Sequence, residues 1–531
     1  MREKLKENKG ITLISIIITV IILLLLAGVT TSLVIGENGL IAKSKQSGKK
    51  AEISSEKEAI QIAVTQAIEE ENSITNLKKY LDYNVGDDKV DITSNGDIIV
   101  ARFKRSNRYY KIYKNGEVSN PIEMINDKYA GDITKNGKNN GSIEKPFEIN
   151  CIEDLVAFSI ISNGGNQELK LGKNDFSEKY IVLTRNLDFE SIFSYNDYTT
   201  TKYGDLNKDG IVENIKIELT KKEDKCIGFT PINEFGGIFD GRKNEIQNLY
   251  ENKKDVAGVF NSAKDGSIIK NLGLTGKIIS TSDIGAIAGN NNHATIENCY
   301  NKAEIYGDVN HTSIGGIVGW ANYGTIKKCY NSGIIISNYK SWGGGIVGCD
   351  NKGTIINCYN TANIDVGGMA GGITSRGSGK IINCYNTGNI STTNKIGYGY
   401  TSIGGIIGIS NGLSEIYNCF NIGELKQEKA CFYSGILGYN NSTDVKIYNC
   451  LTTKGDMNNG VDKSKEGEKN CFYKDSTGIW KEKNLENENI TLESIIKRLN
   501  EYIDENKESP EINTKEWKKW KNYNDEYLVF E

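Results

Sequence analysis

Hydrophobic and polar positions follow three successive patterns along this chain of 531 residues. The first is an uncharged run from Ile11 to Gly36, longer than the roughly 20 apolar residues that cross a bilayer as a helix. The lysine-rich segment MREKLKENKG, residues 1–10, precedes it. A cleaved secretory signal is an alternative, but its apolar region would span only about 7–15 residues. The pattern predicts a single-pass transmembrane helix over 11–36, with a cytoplasmic N-terminus and the bulk of the chain outside the membrane.

The second pattern is helical and amphipathic. One face of a helix is marked by Ile53, Ile60, Val64 and Ile68. Residues 90–119 then supply strand-type side chains around the turn signal Asn95-Gly96. We therefore expect residues 37–119 to form an amphipathic helix and a small β domain, with an unrelated hairpin as the alternative for the strands.

The segment KGITLISIIITVIILLLLAGV resembles the N-terminus of type IV pilins and pseudopilins. The resemblance implies a leader over 1–10 that ends at Gly10, cleavage by a prepilin peptidase, methylation of Ile11, and a small α+β pilin-like domain. Ser15 stands at the fifth mature position, where the family usually has a glutamate that neutralises a neighbouring subunit's terminal amine. This departure favours a minor or tip subunit, with other pilins as partners, over bulk fibre assembly. A plain uncleaved anchor helix is the alternative.

The third pattern is a repeat. A glycine-framed apolar run, a polar turn and the sequence I-x-N-C-Y-N return several times within residues 251–451. The repeat cysteines lie 26 to 35 residues apart, a period typical of solenoids. One copy alone cannot bury a core, so we expect the copies to stack as short parallel strands. The copies are 256–278, 283–305, 313–335, 342–364, 366–390, 402–425 and 433–451.

Stacking would place equivalent residues in columns along the solenoid. Isoleucine and valine are expected inside, and glycine pairs such as Gly315-Gly316 at close backbone approaches. The cysteines are read as small buried apolar groups, with disulfides or metal binding as alternatives. Lys328 replaces asparagine in one copy of a column that is otherwise expected to form a hydrogen-bonded ladder. That column contains Asn298, Asn357, Asn383 and Asn418.

Residues 230–450 resemble the GLUG motif, found in surface-associated bacterial proteins and in some IgA-cleaving metallopeptidases. The peptidase chemistry is not expected to carry over, because the chain has two histidines, His293 and His311, and lacks the zinc-binding ones. The predicted fold is mainly β: a parallel β-solenoid (β-helix) of GLUG repeats, preceded by a long N-terminal transmembrane α-helix and a small α+β pilin-like domain. Its predicted parts after residue 119 are a linker at 120–145, an N-terminal cap with the first solenoid rungs at 146–250, the solenoid at 251–451 and a C-terminal cap at 452–531.

Charge and motifs narrow the chemistry. The net charge of −4 argues against nucleic acid as a partner, and the chain contains neither HExxH nor CxxC. Asp205, Asn207 and Asp209 match the start of an EF-hand-type calcium loop, although Lys216 stands where a bidentate acid is needed. An ordinary Asp/Asn/Gly turn is the alternative. We therefore expect no cofactor, with Ca²⁺ at this loop as the alternative.

We expect a membrane-anchored cell-surface protein that binds a glycan or a host or matrix surface and catalyses no reaction. A minor pilin of a pilus or secretion system is the second hypothesis. A polysaccharide-active enzyme is the third and least favoured hypothesis. Such sites need paired carboxylates, whereas acids such as Glu297 and Glu415 are isolated in the repeats. Six aromatic residues near the glycine runs are candidates for stacking on sugars, with structural packing as the alternative: Trp320, Tyr323, Tyr339, Trp342, Tyr398 and Tyr400.

Overall fold

In a computed structural model the chain forms two units, Met1–Met124 and Ile125–Glu531. The structure describes residues 40–95, 98–106, 108–119, 122–123, 131–135, 139–167, 170–189, 200–204, 213–217, 227–309, 312–320, 322–392, 401–427, 431–442, 444–453, 458–460, 468–475, 477, 479–482, 490–509, 514–515, 517–522 and 528–530.

The first unit packs two helices on an antiparallel sheet. Helix α1 spans Leu40–Glu71 and helix α2 spans Leu77–Val85. Four strands follow in chain order, each paired with the next: Val90–Asn95, Ile98–Phe103, Arg108–Tyr113 and Ile122–Glu123. The first two strands pair Val90 with Phe103 and Asn95 with Ile98, so Asn95 is the last paired residue of its strand. Gly96 of the predicted turn lies outside the described residues.

The amphipathic face of α1 forms part of this unit's core. Ile60 and Val64 are buried, as the helical pattern predicts. Ile68 is 39% exposed, because the helix ends soon afterwards at Glu71. A buried ion pair ties the helix to the sheet: the Arg108 guanidinium donates to Glu56 at 3.1 Å and to Glu52 at 2.8 Å.

The expected transmembrane helix requires a correction to the predicted fold class. Among the residues described, no helix combines the length and apolar character needed to cross a membrane. Helix α1 is long enough, but lysine and glutamate recur along it, so burial in hydrocarbon would be costly. The run 11–36 itself lies outside the described residues. The described fold is mainly β with a solenoid, and a membrane-spanning helix is not part of it.

The second unit is a solenoid of short parallel strands. A full coil contributes up to five strands, as in Ser313–Gly315, Val318–Trp320, Thr325–Lys327, Tyr330–Asn331 and Ile335–Ser337. The third, fourth and fifth strands belong to the wide sheet. In chain order its strands are Phe147–Ile149, Tyr180–Leu183, Leu187–Asp188, Ile227–Gly228, Ile238–Lys253, Ile268–Ser280, Thr295–Glu297, Tyr300–Asn301, Glu304–Gly307, Thr325–Lys327, Tyr330–Asn331, Ile335–Ser337, Thr354–Ile356, Tyr359–Asn360, Ile364–Val366, Lys380–Ile382, Tyr385–Asn386, Ile390–Thr392, Ser414–Tyr417, Phe420–Asn421, Leu425–Gln427, Val445–Tyr448, Leu451–Thr452, Glu468–Lys469, Phe472–Lys474 and Trp480–Glu482.

The first two strands of each coil form narrower sheets. The first-strand sheet contains Ile284–Gly285, Ser313–Gly315, Trp342–Gly344, Ala370–Gly371, Thr401–Gly404 and Cys431–Ser434. The second strands are Phe260–Ala263, Ala288–Asn291, Val318–Trp320, Thr374–Gly377, Ile407–Ser410, Leu437–Asn440 and Asn458–Gly460. A bridge at Val347 continues this row between Val318 and Thr374. Register is regular, since each Ile of the repeat pairs with the Ile of the next coil, as Ile326 does with Ile355.

Both ends of the solenoid core carry other elements. Helix α3, Ile152–Ser162, buries Leu155 and Phe158 in the same core as the first coils. Helix α4, Leu492–Glu505, buries Leu499 against the aromatic side chains of the last coils. The remaining described elements are a 3₁₀ turn at Ile133–Lys135 and two strand pairs, Thr200–Gly204 with Glu213–Ile217 and Trp520–Asn522 with Leu528–Phe530.

Candidate ligand-binding groove

The repeat motif builds a cysteine ladder inside the solenoid. The backbone N–H of Cys299 donates to the Sγ of Cys329 at 3.4 Å, and Cys329 repeats this contact with Cys358. Burial raises the pKa of the Cys419 and Cys450 thiols. These thiols are therefore packing groups without access to solvent. The described free and buried cysteines are Cys151, Cys299, Cys329, Cys349, Cys358, Cys384, Cys419, Cys450 and Cys471.

Two asparagine ladders run beside the cysteines. The outer asparagine column is Asn271, Asn298, Lys328, Asn357, Asn383, Asn418, Asn449 and Asn470, and all eight residues have positive φ. The expected side-chain bonds are present, for example Asn418 Nδ2 to Asn383 Oδ1 at 2.8 Å. The inner ladder was not predicted from the sequence; in it each Nδ2 donates to the next Oδ1 at 2.8 Å. Its members are Asn301, Asn331, Asn360, Asn386 and Asn421, and all are buried.

A stack of aromatic rings lies on the outer surface between these ladders. Tyr300, Tyr330, Tyr359, Tyr385 and Phe420 follow one another with ring centroids 4.7 to 5.0 Å apart and interplanar angles of 2 to 6°. We call this set the tyrosine stack. Because the rings face each other, the half-buried Tyr330, Tyr359 and Tyr385 direct their ring edges outward, whereas Phe420 is buried.

An open groove of about 600 Å³ follows the corner between the second and third strands of the coils. Successive coils place His293, Tyr323, Lys352, Ser378 and Leu413 at one equivalent position along it, just before the paired third strands. The third strands themselves contribute the outward-facing side chains of Thr325, Thr354, Lys380 and Glu415. Gly324, Gly353 and Gly379 lie between the two rows, so a ligand there would meet bare backbone.

Tyr323 is the central aromatic residue of the groove. Its side chain is 39% exposed, and the His293 ring stacks on it with centroids 5.6 Å apart. The Lys352 ammonium lies 5.2 Å from the centroid of the Tyr323 ring. Both neighbours belong to the adjacent coils, so the ring is held between them, and Lys352 Nζ also donates to the Tyr323 hydroxyl at 3.4 Å.

Charged side chains line the rest of the groove. Hydrogen bonds to Asp350 and Tyr323 raise the pKa of Lys352. Burial acts to raise the pKa of Glu415, but its hydrogen bond and ion pair with Lys380, at 2.9 Å, hold this pKa below its usual value. The groove therefore keeps both cations and an anion at neutral pH, beside hydroxyl donors and acceptors.

The aromatic residues predicted from sequence fall in separate places. Tyr323 lies in the groove. Trp320 ends the second strand of one coil and Trp342 begins the first strand of the next, and their ring centroids are 6.4 Å apart. Tyr339, 36% exposed, precedes Trp342 in a turn and does not line the groove. Tyr398 and Tyr400 lie outside the described residues.

Most groove residues, including His293 and Lys352, were not predicted from the sequence. They differ chemically from coil to coil, so a search for a recurring residue type does not find them. The signal that would have found them is position, because His293, Tyr323 and Lys352 each stand two residues before the first residue of the third strand.

The processing and calcium predictions concern residues that the structure does not describe. Gly10 and Ile11 lie outside the described residues, as do Asp205, Asn207 and Asp209. Within the part of the chain that is described, no group of three or more His, Cys, Asp or Glu side chains is placed to hold a metal ion.

Comparisons with known proteins identify no family. No protein-family model matches the chain, and no curated protein matches it. Among solved structures, the chain is similar to a Bacteroides ovatus protein described as a "putative immunoglobulin A1 protease". The two share 17% identity and a TM-score of 0.37 over 75% of this chain and 97% of the other.

Proposed function

We propose that this protein is a bacterial cell-surface binding protein whose solenoid holds a polysaccharide in the Tyr323 groove without cleaving it. The observation that carries this proposal is the open groove of about 600 Å³, with a fixed tyrosine at its centre and polar groups on successive coils. The resemblance of the repeats to the GLUG motif of surface-associated proteins supports display outside the cell.

The repetition of the groove favours a polymer over a small molecule. Small-molecule sites are usually concave pockets that enclose most of the ligand, whereas this groove is open along several coils. Adjacent strands are about 4.8 Å apart, so hydroxyl, ammonium and carboxylate groups recur at that interval. A saccharide chain presents hydroxyl groups at a regular interval too, and it can accept from Lys352 and Tyr323 while it donates to Glu415.

A glycan array probed with the full chain tests this proposal. We expect binding to a restricted set of extended glycans. Tyr323→Ala and Lys352→Ala should each weaken that binding at least ten-fold, because each removes a polar group from the centre of the groove. Tyr339→Ala is the matched control, since Tyr339 has nearly the same exposure but lies outside the groove.

Three results would contradict the proposal. One is the absence of binding to every glycan. The other is equal weakening by the Tyr323 and Tyr339 substitutions, which would place the ligand elsewhere. The third is the appearance of new reducing ends in the bound glycan, which would show that the protein cleaves it.

A further inference from the structure

The C-terminal segment of the chain lies along the outer asparagine column of the last coils. The contact is made through its backbone: the N–H of Lys518 donates to Asn383 Oδ1 at 3.2 Å. The carbonyl of the same residue accepts from Asn418 Nδ2 at 2.9 Å. Two consecutive members of the column thus hold both polar groups of one peptide residue, and this recognition does not depend on the Lys518 side chain.

Aromatic side chains of the same segment lie against the tyrosine stack. Phe530 meets Tyr385 and Phe420 edge-to-face, with centroids 6.0 and 5.3 Å apart. Trp520 packs on Phe420 at 5.4 Å, and its indole N–H donates to Asn418 Oδ1. The exposed edges of stacked rings carry partial positive charge, so they attract the faces of other rings. The asparagine column and the tyrosine stack together therefore form a surface that holds an extended aromatic peptide.

Only part of this surface is covered. Asn383 and Asn418 contact the C-terminal segment and are buried, and Asn449, the next member of the column, is buried too. In the preceding coils, Asn298 and Lys328 are exposed. Tyr300, Tyr330 and Tyr359 continue the tyrosine stack there with the same spacing and ring angles, and they are half-buried.

The uncovered part has free hydrogen-bonding capacity where Lys328 interrupts the ladder. Asn298 Nδ2 donates to Asn271 Oδ1 at 3.2 Å, as Asn418 does to Asn383. Among the described residues, the Asn298 Oδ1 accepts no bond and the Asn357 Nδ2 donates none. The pair Asn271 and Asn298 therefore repeats the side-chain arrangement that holds Lys518.

We propose that the uncovered surface, formed by Asn271, Asn298, Lys328, Tyr300 and Tyr330, is a docking site for an extended, aromatic-rich peptide segment of a partner protein. The C-terminal segment, which covers the same surface on the last coils, indicates what the occupant must offer. It must place a backbone N–H and C=O against two consecutive asparagines, and a ring face against the edges of the tyrosine stack. This site is separate from the Tyr323 groove and makes use of different side chains.

A labelled peptide with the sequence of residues 514–522, TKEWKKWKN, serves as the probe against the full chain. We expect saturable one-to-one binding in fluorescence anisotropy. Asn298→Gly, which keeps the positive-φ backbone but removes the amide, should weaken binding at least five-fold. Tyr330→Leu should do the same by removing a ring edge. Tyr323→Leu is the matched control and should leave peptide binding unchanged, because Tyr323 belongs to the groove.

Each alternative to peptide docking predicts a different experimental result. A peptide with both tryptophans replaced by alanine has the same charge, so equal binding of that peptide would show nonspecific attraction and overturn the proposal. Binding that neither Asn298→Gly nor Tyr330→Leu alters would mean that the probe displaces the chain's own C-terminal segment, which also overturns it. Thermal unfolding of each variant checks that the fold is kept. Glycan binding that depends on Tyr330 rather than Tyr323 would assign the surface to a saccharide and contradict both proposals.

Discussion

At the residue scale, Lys328 shows how one side chain interrupts a column that is otherwise continuous. It occupies the outer asparagine column with a φ of 54°, a conformation that asparagine adopts more readily than lysine. Its ammonium is 3.8 Å from Glu297, and its side chain is 58% exposed, so that ion pair contributes little.

We expect Lys328→Asn to stabilise the solenoid by about 0.5–1.5 kcal/mol, because it relieves the backbone cost and closes the ladder between Asn298 and Asn357. Urea denaturation followed by circular dichroism measures the change. Lys327→Asn, one residue earlier, should shift stability by no more than about 0.5 kcal/mol, because that side chain points outward in a strand. A destabilised Lys328→Asn variant would show that the ladder does not determine stability here.

Glu251 is a carboxyl group inside the solenoid, in the column that Ile278 and Ile305 continue. It is fully buried, and the Gly258 N–H donates to its Oε2 at 2.9 Å. Burial raises its pKa to about 8. The folded protein therefore holds a proton on Glu251 that the unfolded chain, with an ordinary pKa near 4.5, releases.

The stability of the solenoid should consequently fall as pH rises from about 4.5 to 8, by up to about 1.4 kcal/mol per pH unit. Glu251→Gln should remove this slope, which urea midpoints measured across that pH range would reveal. Glu245→Gln is the contrasting control. Burial acts to raise the pKa of Glu245, but hydrogen bonds from Gln247, Tyr300 and Lys302 lower it to about 2, so that substitution should matter mainly at acidic pH. An unchanged slope in Glu251→Gln would contradict the assignment.

At the scale of the elements, glycine sets how closely the strands of a coil can approach. The bend between the first and second strands carries Gly345, and a Cβ there would lie 2.1 Å from the Gly372 carbonyl oxygen and 2.5 Å from the Asn360 Cβ. Asn360 belongs to the inner asparagine ladder. The glycine pairs of the repeat are thus required because the ladder packs directly on the backbone of the bend.

We expect Gly345→Ala to destabilise the solenoid by about 1–3 kcal/mol, because both the Gly372 backbone and the Asn360 side chain must move to admit the added methyl group. Gly172→Ala is the control, since a Cβ at that position meets nothing within 4 Å. Thermal denaturation of the two variants provides the comparison. Equal changes in the thermal midpoint of the two variants would mean that the contacts around Gly345 readjust at little cost.

At the scale of the whole molecule, other elements must cover the apolar core that the first and last coils of the solenoid would expose. A stack of identical coils would expose its core and sheet edges at each end, which invites aggregation. Here α3 covers the first coils, and α4 with the C-terminal strands covers the aromatic surface of the last ones.

Leu499→Ala should destabilise the C-terminal cover by about 2–5 kcal/mol, because Leu499 is fully buried against the last coils. The expected signs are a lower urea midpoint and increased binding of a hydrophobic dye such as ANS, which reports exposed apolar surface. Lys497→Ala, on the exposed side of the same helix, should leave both readings unchanged. Dye binding equal to wild type in Leu499→Ala would show that the cover tolerates the cavity.

The identity of the repeat could be read from sequence, but the shape of the groove could not. Ile326, Cys329 and Gly345 recur from coil to coil because the same close packing recurs, so periodicity alone locates them. His293, Tyr323 and Lys352 have no common chemistry, and only the register of the strands places them side by side. The predicted cleavage after Gly10 stays a prediction, which N-terminal mass analysis of the natural protein would test.

The sequence by itself determined that the chain stacks repeats of about thirty residues, because a column of equal side chains requires equal spacing along the chain. It also placed the cysteines and the outer asparagine column, since each recurs at one position of the repeat. Tertiary structure alone decided which coils the C-terminal segment covers and which it leaves open. That choice depends on pairs of residues more than a hundred positions apart, such as Asn383 with Lys518, and no local pattern encodes them.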